Sequence, residues 1–410
     1  MVETKFKHTD IGLIPEDWET RYVKEFTDCT AGGTPSTKVD GYWGGDIPWM
    51  NSGELNKRKI YYTQNFITKR GLENSSTKII PKNCVLIGLA GQGKTRGTVA
   101  INKIELSINQ SIGVFYPNSI FNYNYLFYNL QKRYNELRLL SSGDGGRGGL
   151  NLNILKNLVI PLPPLPEQQA IAEVLSDTDN WIESLEKLIA KKQLIKQGAM
   201  QQLLTPKEDW EVRKLEEVCE ITGAGVDKKI NKNESSVTLL NYLDVYRRDY
   251  IFKSELNHIV TAPNSKIQQC NIKKGDVLIT PSSELSDDIG VTALAMEDMD
   301  GVVYSYHLYR IRFKMKIDWK FGLFIFKNRL FLNQAEKFAE GSGKRYVISL
   351  SKIRDFDISI PKSLSEQNRI ANILSDMDTE IETLKQKLAK TKQIKQGLMQ
   401  ELLTGRIRLA

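Results

Sequence analysis

Cysteine and histidine are scarce in this chain, with four of the first and three of the second among 410 residues. Cys29, Cys84, Cys219 and Cys270 lie far apart and form no C-x-x-C pair. That argues against a zinc ribbon and against a disulfide scaffold, and fits a reducing cytoplasm. His8, His258 and His307 do not fall at ligand spacing with cysteines or carboxylates, so no metal site is expected, and His258 and His307 read as ordinary surface or packed residues. No stretch approaches the roughly 18 consecutive apolar residues of a membrane span, and the opening MVETKFKHTDIGLIPEDWE has no apolar run suited to a signal peptide. The expectation is a soluble, intracellular, cytoplasmic protein. Catalytic signatures are missing too. There is no G-x-S-x-G elbow. A methyltransferase would need a glycine-rich cofactor loop and an Asn/Asp-Pro-Pro-aromatic segment, and the run Pro161-Leu162-Pro163-Pro164 lacks the acidic or amide residue in front. The sequence offers no catalytic residues and no cofactor.

What is present is enough apolar residue for real cores, 40% hydrophobic against 26% charged, in a chain long enough for two domains. The net charge of +8 favours a polyanionic partner.

The organising feature is an internal repeat. Residues 167–205 and 366–404 align without gaps at an offset of 199 and match at 22 of 39 positions. A weaker echo, Pro15-Glu16-Asp17-Trp18-Glu19 against Pro206-Lys207-Glu208-Asp209-Trp210-Glu211, stands upstream of each copy. The seam steps by three and four through Ile171, Leu175, Thr178, Ile182, Leu185 and Ile189 in the first copy. In the second it steps through Ile370, Leu374, Met377, Ile381, Leu384 and Leu388. This is a coiled-coil stripe, interrupted by Lys192 and Lys196 in one copy and Lys395 in the other. A helix of about 37 residues would be roughly 55 Å long. The economical solution is that the two stripes pack on each other.

The blocks before each helix read as mixed α/β. Asn83–Ile87 and Asp276–Thr280 look like buried strands, Tyr123–Leu140 and Trp319–Glu340 have helical spacing, and glycine-rich turns at Thr30–Thr34, Ser141–Gly149 and Gly341–Gly343 break the pattern. The expected division is a globular domain at 1–159, a helical region at 160–205, a second globular domain at 206–360 and a second helical region at 361–410. The fold class is mixed α+β, two globular domains on two long antiparallel coiled-coil helices.

Gly88-Leu89-Ala90-Gly91-Gln92-Gly93-Lys94-Thr95 matches the phosphate-loop pattern G-x-x-x-x-G-K-[ST] and follows a strand. The motif requires a helix next, yet Arg96-Gly97-Thr98-Val99-Ala100-Ile101 reads as another strand. A strand–loop–strand aiming Gln92, Lys94 and Arg96 outward, toward phosphates or base edges, is the better reading. A P-loop nucleotide-binding enzyme stays as one alternative and a free-standing DNA-binding regulator as another. Residues 20–160 carry 18 Lys+Arg against 9 Asp+Glu, whereas residues 210–360 carry 23 against 21. If both blocks bind DNA, the first should hold more of the salt-dependent affinity. Candidate contacts in the first block are Thr34, Ser36, Lys38, Tyr42, Trp43, Asn51, Lys57, Arg58, Gln92, Lys94, Arg96 and Arg147. In the second they are Asn241, Tyr242, Arg247, Arg248, Ser282, Lys344 and Arg345. Trp49 reads equally well as core.

The organisation resembles the specificity subunit of Type I restriction-modification systems. The carrying segments are Gly32-Gly33-Thr34-Pro35-Ser36, Tyr42-Trp43-Gly44-Gly45-Asp46-Ile47-Pro48-Trp49, Ile160-Pro161-Leu162-Pro163-Pro164-Leu165 with Glu167-Gln168, and Leu402-Leu403-Thr404-Gly405. The second block departs from the pattern, with Thr222-Gly223-Ala224-Gly225 lacking the Thr-Pro and Ile360-Pro361-Lys362-Ser363 replacing the Pro-Pro run. The resemblance implies two target-recognition domains, each reading one half of a split double-stranded DNA site. It implies an antiparallel coiled coil as the ruler between the halves, two adenine-N6 methyltransferase subunits, and two ATP-driven restriction subunits. S-adenosylmethionine, ATP and magnesium would belong to those partners.

Overall fold

The computed structural model describes residues 5–91, 93–140, 149–223 and 225–409. The chain divides into two compact units, one of residues 1–186 with 386–410 and one of residues 187–385. The division falls inside both long helices, Leu165–Leu203 and Leu364–Leu402. Each unit therefore owns a globular domain together with part of each helix, where the sequence suggested separate helical regions.

In the first unit a five-stranded sheet runs in the order Cys29–Ala31, Ile112–Phe115, Val85–Gly88, Val99–Asn102, Lys59–Ile60. All its pairings are antiparallel except the last. Its three inner strands are buried at every position, and the reason is period-two alternation between two cores. Val85, Ile87, Val99, Ile101 and Phe115 join a core with the helix Tyr123–Lys132. Leu86, Ala100 and Val114 point to the other face, with Met50, Leu55 and Ile80. A second sheet, ordered Asn65–Ile67, Trp43–Met50, Leu106–Ile108, Ile79–Ile80, has a parallel pair at its centre.

The second unit repeats this plan. Its five-stranded sheet runs Cys219–Thr222, Tyr309–Phe313, Val277–Ile279, Thr292–Ala295, Tyr250–Ile251, again with only the last pair parallel. Val277, Ile279 and Ile311 face one core while Leu278, Ala293 and Ala295 face the other. The strand order Ile259–Ala262, Ser235–Leu240, Val302–Tyr304 mirrors the other sheet, including its parallel pair. A two-stranded ribbon closes each domain where the chain leaves for its helix, Glu19–Tyr22 with Val159–Leu162 and Trp210–Lys214 with Asp357–Pro361. The internal repeat thus covers the globular domains as well as the helices. The second unit adds a small sheet in which Ser282–Ser283 pairs with the hairpin Glu340–Ser342 and Arg345–Val347.

The segments with helical spacing are each interrupted. Tyr123–Lys132 is followed by Tyr134–Leu140, and Phe321–Ile325 by Arg329–Lys337. Asn328 restarts the latter, its side chain accepting from the Phe331 amide at 2.8 Å, a standard N-cap.

The helix stripes do not simply zip together along their length. Ile171 and Leu175 are fully buried in the first domain's core beside Leu402 and Leu403, and Ile370 and Leu374 occupy the same place in the second domain beside Leu204. The domain cores claim the start of each stripe because an apolar helix end adjoining a globular domain loses more water-exposed surface there. Farther along, Ile182, Leu185, Ile189 and Ile381 are buried, while Met377, Leu384 and Leu388 are only half-buried. Among the described residues no helix is long and apolar enough to cross a membrane.

Candidate nucleic-acid interface

Each globular domain is fixed to its helix by repeated polar residues. Gln168 is buried at the start of its helix, where its Nε2 donates to the Pro163 carbonyl and its Oε1 accepts from the Asn122 amide. Gln367, its counterpart, donates to Pro361 and accepts from Asp318. The Glu-Gln pair of the repeat thereby ties each helix to its own domain. Within the first unit the helices run antiparallel, since Glu186 pairs with Lys392 and Asp179 with Lys395. Within the second, Lys192 pairs with Glu380, Lys196 with Asp378, and Lys207 with Glu366.

The lysines that interrupt the stripe are therefore explained. Lys395 Nζ lies 2.7 Å from Asp179, whose other oxygen accepts from Tyr128 OH at 2.9 Å. Burial pushes the Lys395 ammonium below its ordinary pKa, and Asp179 opposes the shift. The repeat-related Lys196 meets Asp378, which accepts from Tyr250 OH at 3.0 Å. Asp249 joins this cluster. Burial disfavours its charge, but Lys327 and Lys196 outweigh that and hold the carboxyl below the usual range. Each unit thus locks its helix register with a Lys–Asp–Tyr group, half-buried in the second unit and more deeply set around Lys395 in the first, a known use of polar residues in coiled coils.

In the first domain Thr34, Ser36, Lys38, Tyr42 and Trp43 share one loop region. It is braced by Trp43 Nε1 donating to the Ser36 carbonyl and by Trp49 Nε1 donating to Gly33. The two indoles meet edge to face at 5.0 Å, and Trp49 is core. Ser36 and Lys38 stay exposed. Gly33 cannot carry a side chain, because a Cβ there would lie 2.5 Å from the Thr77 amide nitrogen. The Gly-Gly of the motif serves this close passage.

Other candidates already hold partners within their own domain. The Asn51 side chain accepts from the Gly53 amide, Lys57 pairs with buried Glu54, and Arg58 leans toward Asp179 at 3.5 Å. Asn241 bonds the Leu239 carbonyl and the His258 ring, and Arg248 is held by Asp244 and Glu255. These five have structural partners because each sits beside a turn or helix end whose polar groups need satisfying. Arg247 stays exposed. Gln92 and Arg147, with most of the turn at 141–149 and Ala224, lie outside the described residues.

The chain continues from Val85–Gly88 into Val99–Asn102, which returns antiparallel to it. A phosphate loop would open a helix there. Lys94 is exposed on this connection, while Arg96 is half-buried. Among the described residues no group of three His, Cys, Asp or Glu side chains is placed to hold a metal ion.

The second domain brings four candidates together. Tyr242, Ser282, Lys344 and Arg345 line a cavity of about 660 Å³ with Lys228, Glu284 and His307, among others. Tyr242 OH donates to the Ser282 carbonyl at 2.9 Å, and its ring stacks on Tyr246 at 5.6 Å. Sequence reasoning missed Lys228, Tyr246, Glu284 and His307, which come from separated segments with no shared motif.

The two domains share one sheet plan, and the second adds a mixed-charge cavity beside its exposed basic hairpin. The family model described as "Type I restriction modification DNA specificity domain" matches residues 15–197 and again 207–393. The chain belongs to this family. The MjaVIII specificity subunit of a type I restriction enzyme from Methanocaldococcus jannaschii is 27% identical across 99% of this chain and 97% of its own length. The MjaIX specificity subunit from the same organism is 38% identical over 45% of this chain and 43% of its own. The crystal structure of a type I S subunit from M. genitalium superposes with a TM-score of 0.61 at 17% identity, covering 97% of this chain and 98% of that one. That structural likeness establishes the shared fold.

Proposed function

We propose that this protein is the DNA sequence-recognition subunit of a type I restriction-modification complex. Each globular domain reads one half of a split, asymmetric DNA site, and the long helices set the unread gap and dock the modification subunits. The observation that carries this reading is the double match to the specificity family, one copy over each domain and most of its helix. The chemistry belongs to the partners, two modification subunits and, in the full complex, two restriction subunits. This chain contributes recognition through Ser36, Lys38, Tyr42, Lys94 and Arg96 in the first domain and Tyr242, Ser282, Lys344 and Arg345 in the second. The divergence of the two domains predicts two unlike half-sites. A domain exchange tests the reading. Replacing residues 215–356 with the matching segment of a relative should change one half-site of the methylated motif and leave the other untouched. A change in both halves, or in neither, would contradict it.

A further inference from the structure

The cavity in the second domain differs in kind from a phosphate-binding surface. Its wall is the hairpin Glu340–Ser342 and Arg345–Val347, stitched to Ser282–Ser283. The hairpin is tightly built. Gly341 has φ +152°, and a Cβ there would approach the Arg345 carbonyl to 2.1 Å, so only glycine fits. The pairing sets Ser283 opposite Tyr346, which brings Glu284 and Arg345 to adjoining positions one residue beyond the last bonded pair.

Among the described residues no hydrogen bond or ion pair engages the side chains of Lys344, Arg345 or Glu284, and all three are exposed. Asp288, also on the cavity, is already taken by Tyr246 OH. Beside these charges stand the stacked Tyr242 and Tyr246 and the exposed Leu243 and Leu285, 50% and 60% accessible. A surface built for phosphates would carry cations alone, because a free carboxylate repels the DNA backbone. In the major groove a carboxylate can accept from the amino group of cytosine or of adenine, and a guanidinium has its best partner in guanine O6 and N7, so a carboxylate set beside a guanidinium selects cytosine opposite that guanine. Both belong to one G·C pair.

We propose that this cavity reads a G·C base pair in the major groove, with Arg345 bonding guanine, Glu284 accepting from cytosine, and the Tyr242–Tyr246–Leu285 wall excluding water beside them. This rests on the DNA-recognition reading above and names the base class that one site takes. The hairpin fits the groove, which admits a two-stranded ribbon.

The test uses the whole complex with its modification subunits and reads the methylated motif by single-molecule sequencing. Arg345→Ala and Glu284→Gln should each relax the same single position, a G·C pair, in one half-site. The expected loss of discrimination is about 5- to 150-fold, with the other half-site unchanged. Arg345→Lys keeps the charge but loses the two-pronged fork, and should relax that position too. Glu284→Gln is nearly isosteric and exposed, so it keeps the test open if Arg345→Ala disturbs the hairpin. An unchanged motif overturns the proposal. So does relaxation at two unrelated positions, or weaker methylation equal at every site as a phosphate contact would give. If the wild-type complex methylates no split motif at all, the recognition reading itself has failed.

Discussion

Removing Asp179 should destabilise the first unit far more than removing the lysine it pairs with. Lys395 is only 6% exposed, and its ammonium has Asp179 at 2.7 Å and the weaker Gln131 oxygen at 3.3 Å. Asp179, by contrast, also accepts from Tyr128 and has Arg58 at 3.5 Å. Asp179→Ala leaves a buried charge with one neutral acceptor, a change that costs about 3–5 kcal/mol. Lys395→Met leaves a carboxylate that keeps a hydroxyl donor and a nearby guanidinium, so its cost should be closer to ~1–3 kcal/mol. For a unit of roughly 200 residues, about 2–4 °C of Tm accompanies each kcal/mol. Asp179→Ala should then lower the unit's transition by about 6–20 °C. The double variant Asp179→Leu with Lys395→Met removes both charges and should be more stable than Asp179→Ala alone. Differential scanning calorimetry of the four proteins reads this directly. A Tm within ~2 °C of wild type for Asp179→Ala, or a double variant as unstable as the summed singles, would refute the reasoning.

Other consequences follow from the same contacts. Arg408 bonds Asp17 at 2.6 Å and buried Glu167 at 2.7 Å, and Trp18 donates to Glu167 at 3.0 Å. Arg408→Ala should cost about 3 kcal/mol by stranding Glu167, and adding Glu167→Gln should recover part of it. Equal Tm for the two variants would contradict this. Asp17, held below its usual pKa by the Arg408 hydrogen bond, and Asp249, held below it by lysines that overcome burial, both ionise more readily folded than unfolded. Their stabilisation is present above the unfolded carboxyl pKa of about 3.9 and is lost as pH falls through the lower folded values. Tm should fall between about pH 5 and 3, with a smaller further fall in Asp249→Asn, and a flat wild-type profile would sink the idea. Lys94→Ala should leave nucleotide binding absent, as in wild type, while lowering the salt slope of DNA binding by about one. Tight ATP binding by wild type that vanishes in the variant would instead favour a nucleotide enzyme.

The helices were legible in the sequence because their identity survives and their periodicity is strict. The repeat within the globular domains was legible only as a faint echo, Pro15–Glu19 against Pro206–Glu211. Val85-Leu86-Ile87 and Val277-Leu278-Ile279 take the same place in sheets of the same order, yet many apolar pairs satisfy such a two-core strand, so sequence memory fades while topology stays. Lys395 was visible as a break in the stripe, but its partner lies 216 residues away, beyond any local pattern. The site was partly legible for the same reason. Lys344-Arg345 stood out as a basic pair, whereas Glu284 and Tyr246 gain meaning only from the hairpin beside them. Lys57 and Arg248 looked free in sequence and proved to be paired, because basic residues near turns also serve local carboxylates.

The most direct test of the central claim is the genome-wide adenine methylation pattern of the source cells with and without this gene. The account predicts that deletion erases one split motif, two unlike short halves around a fixed unread gap, and that re-expression restores it. A pattern that includes such a motif and survives deletion unchanged would contradict the claim that this chain directs it.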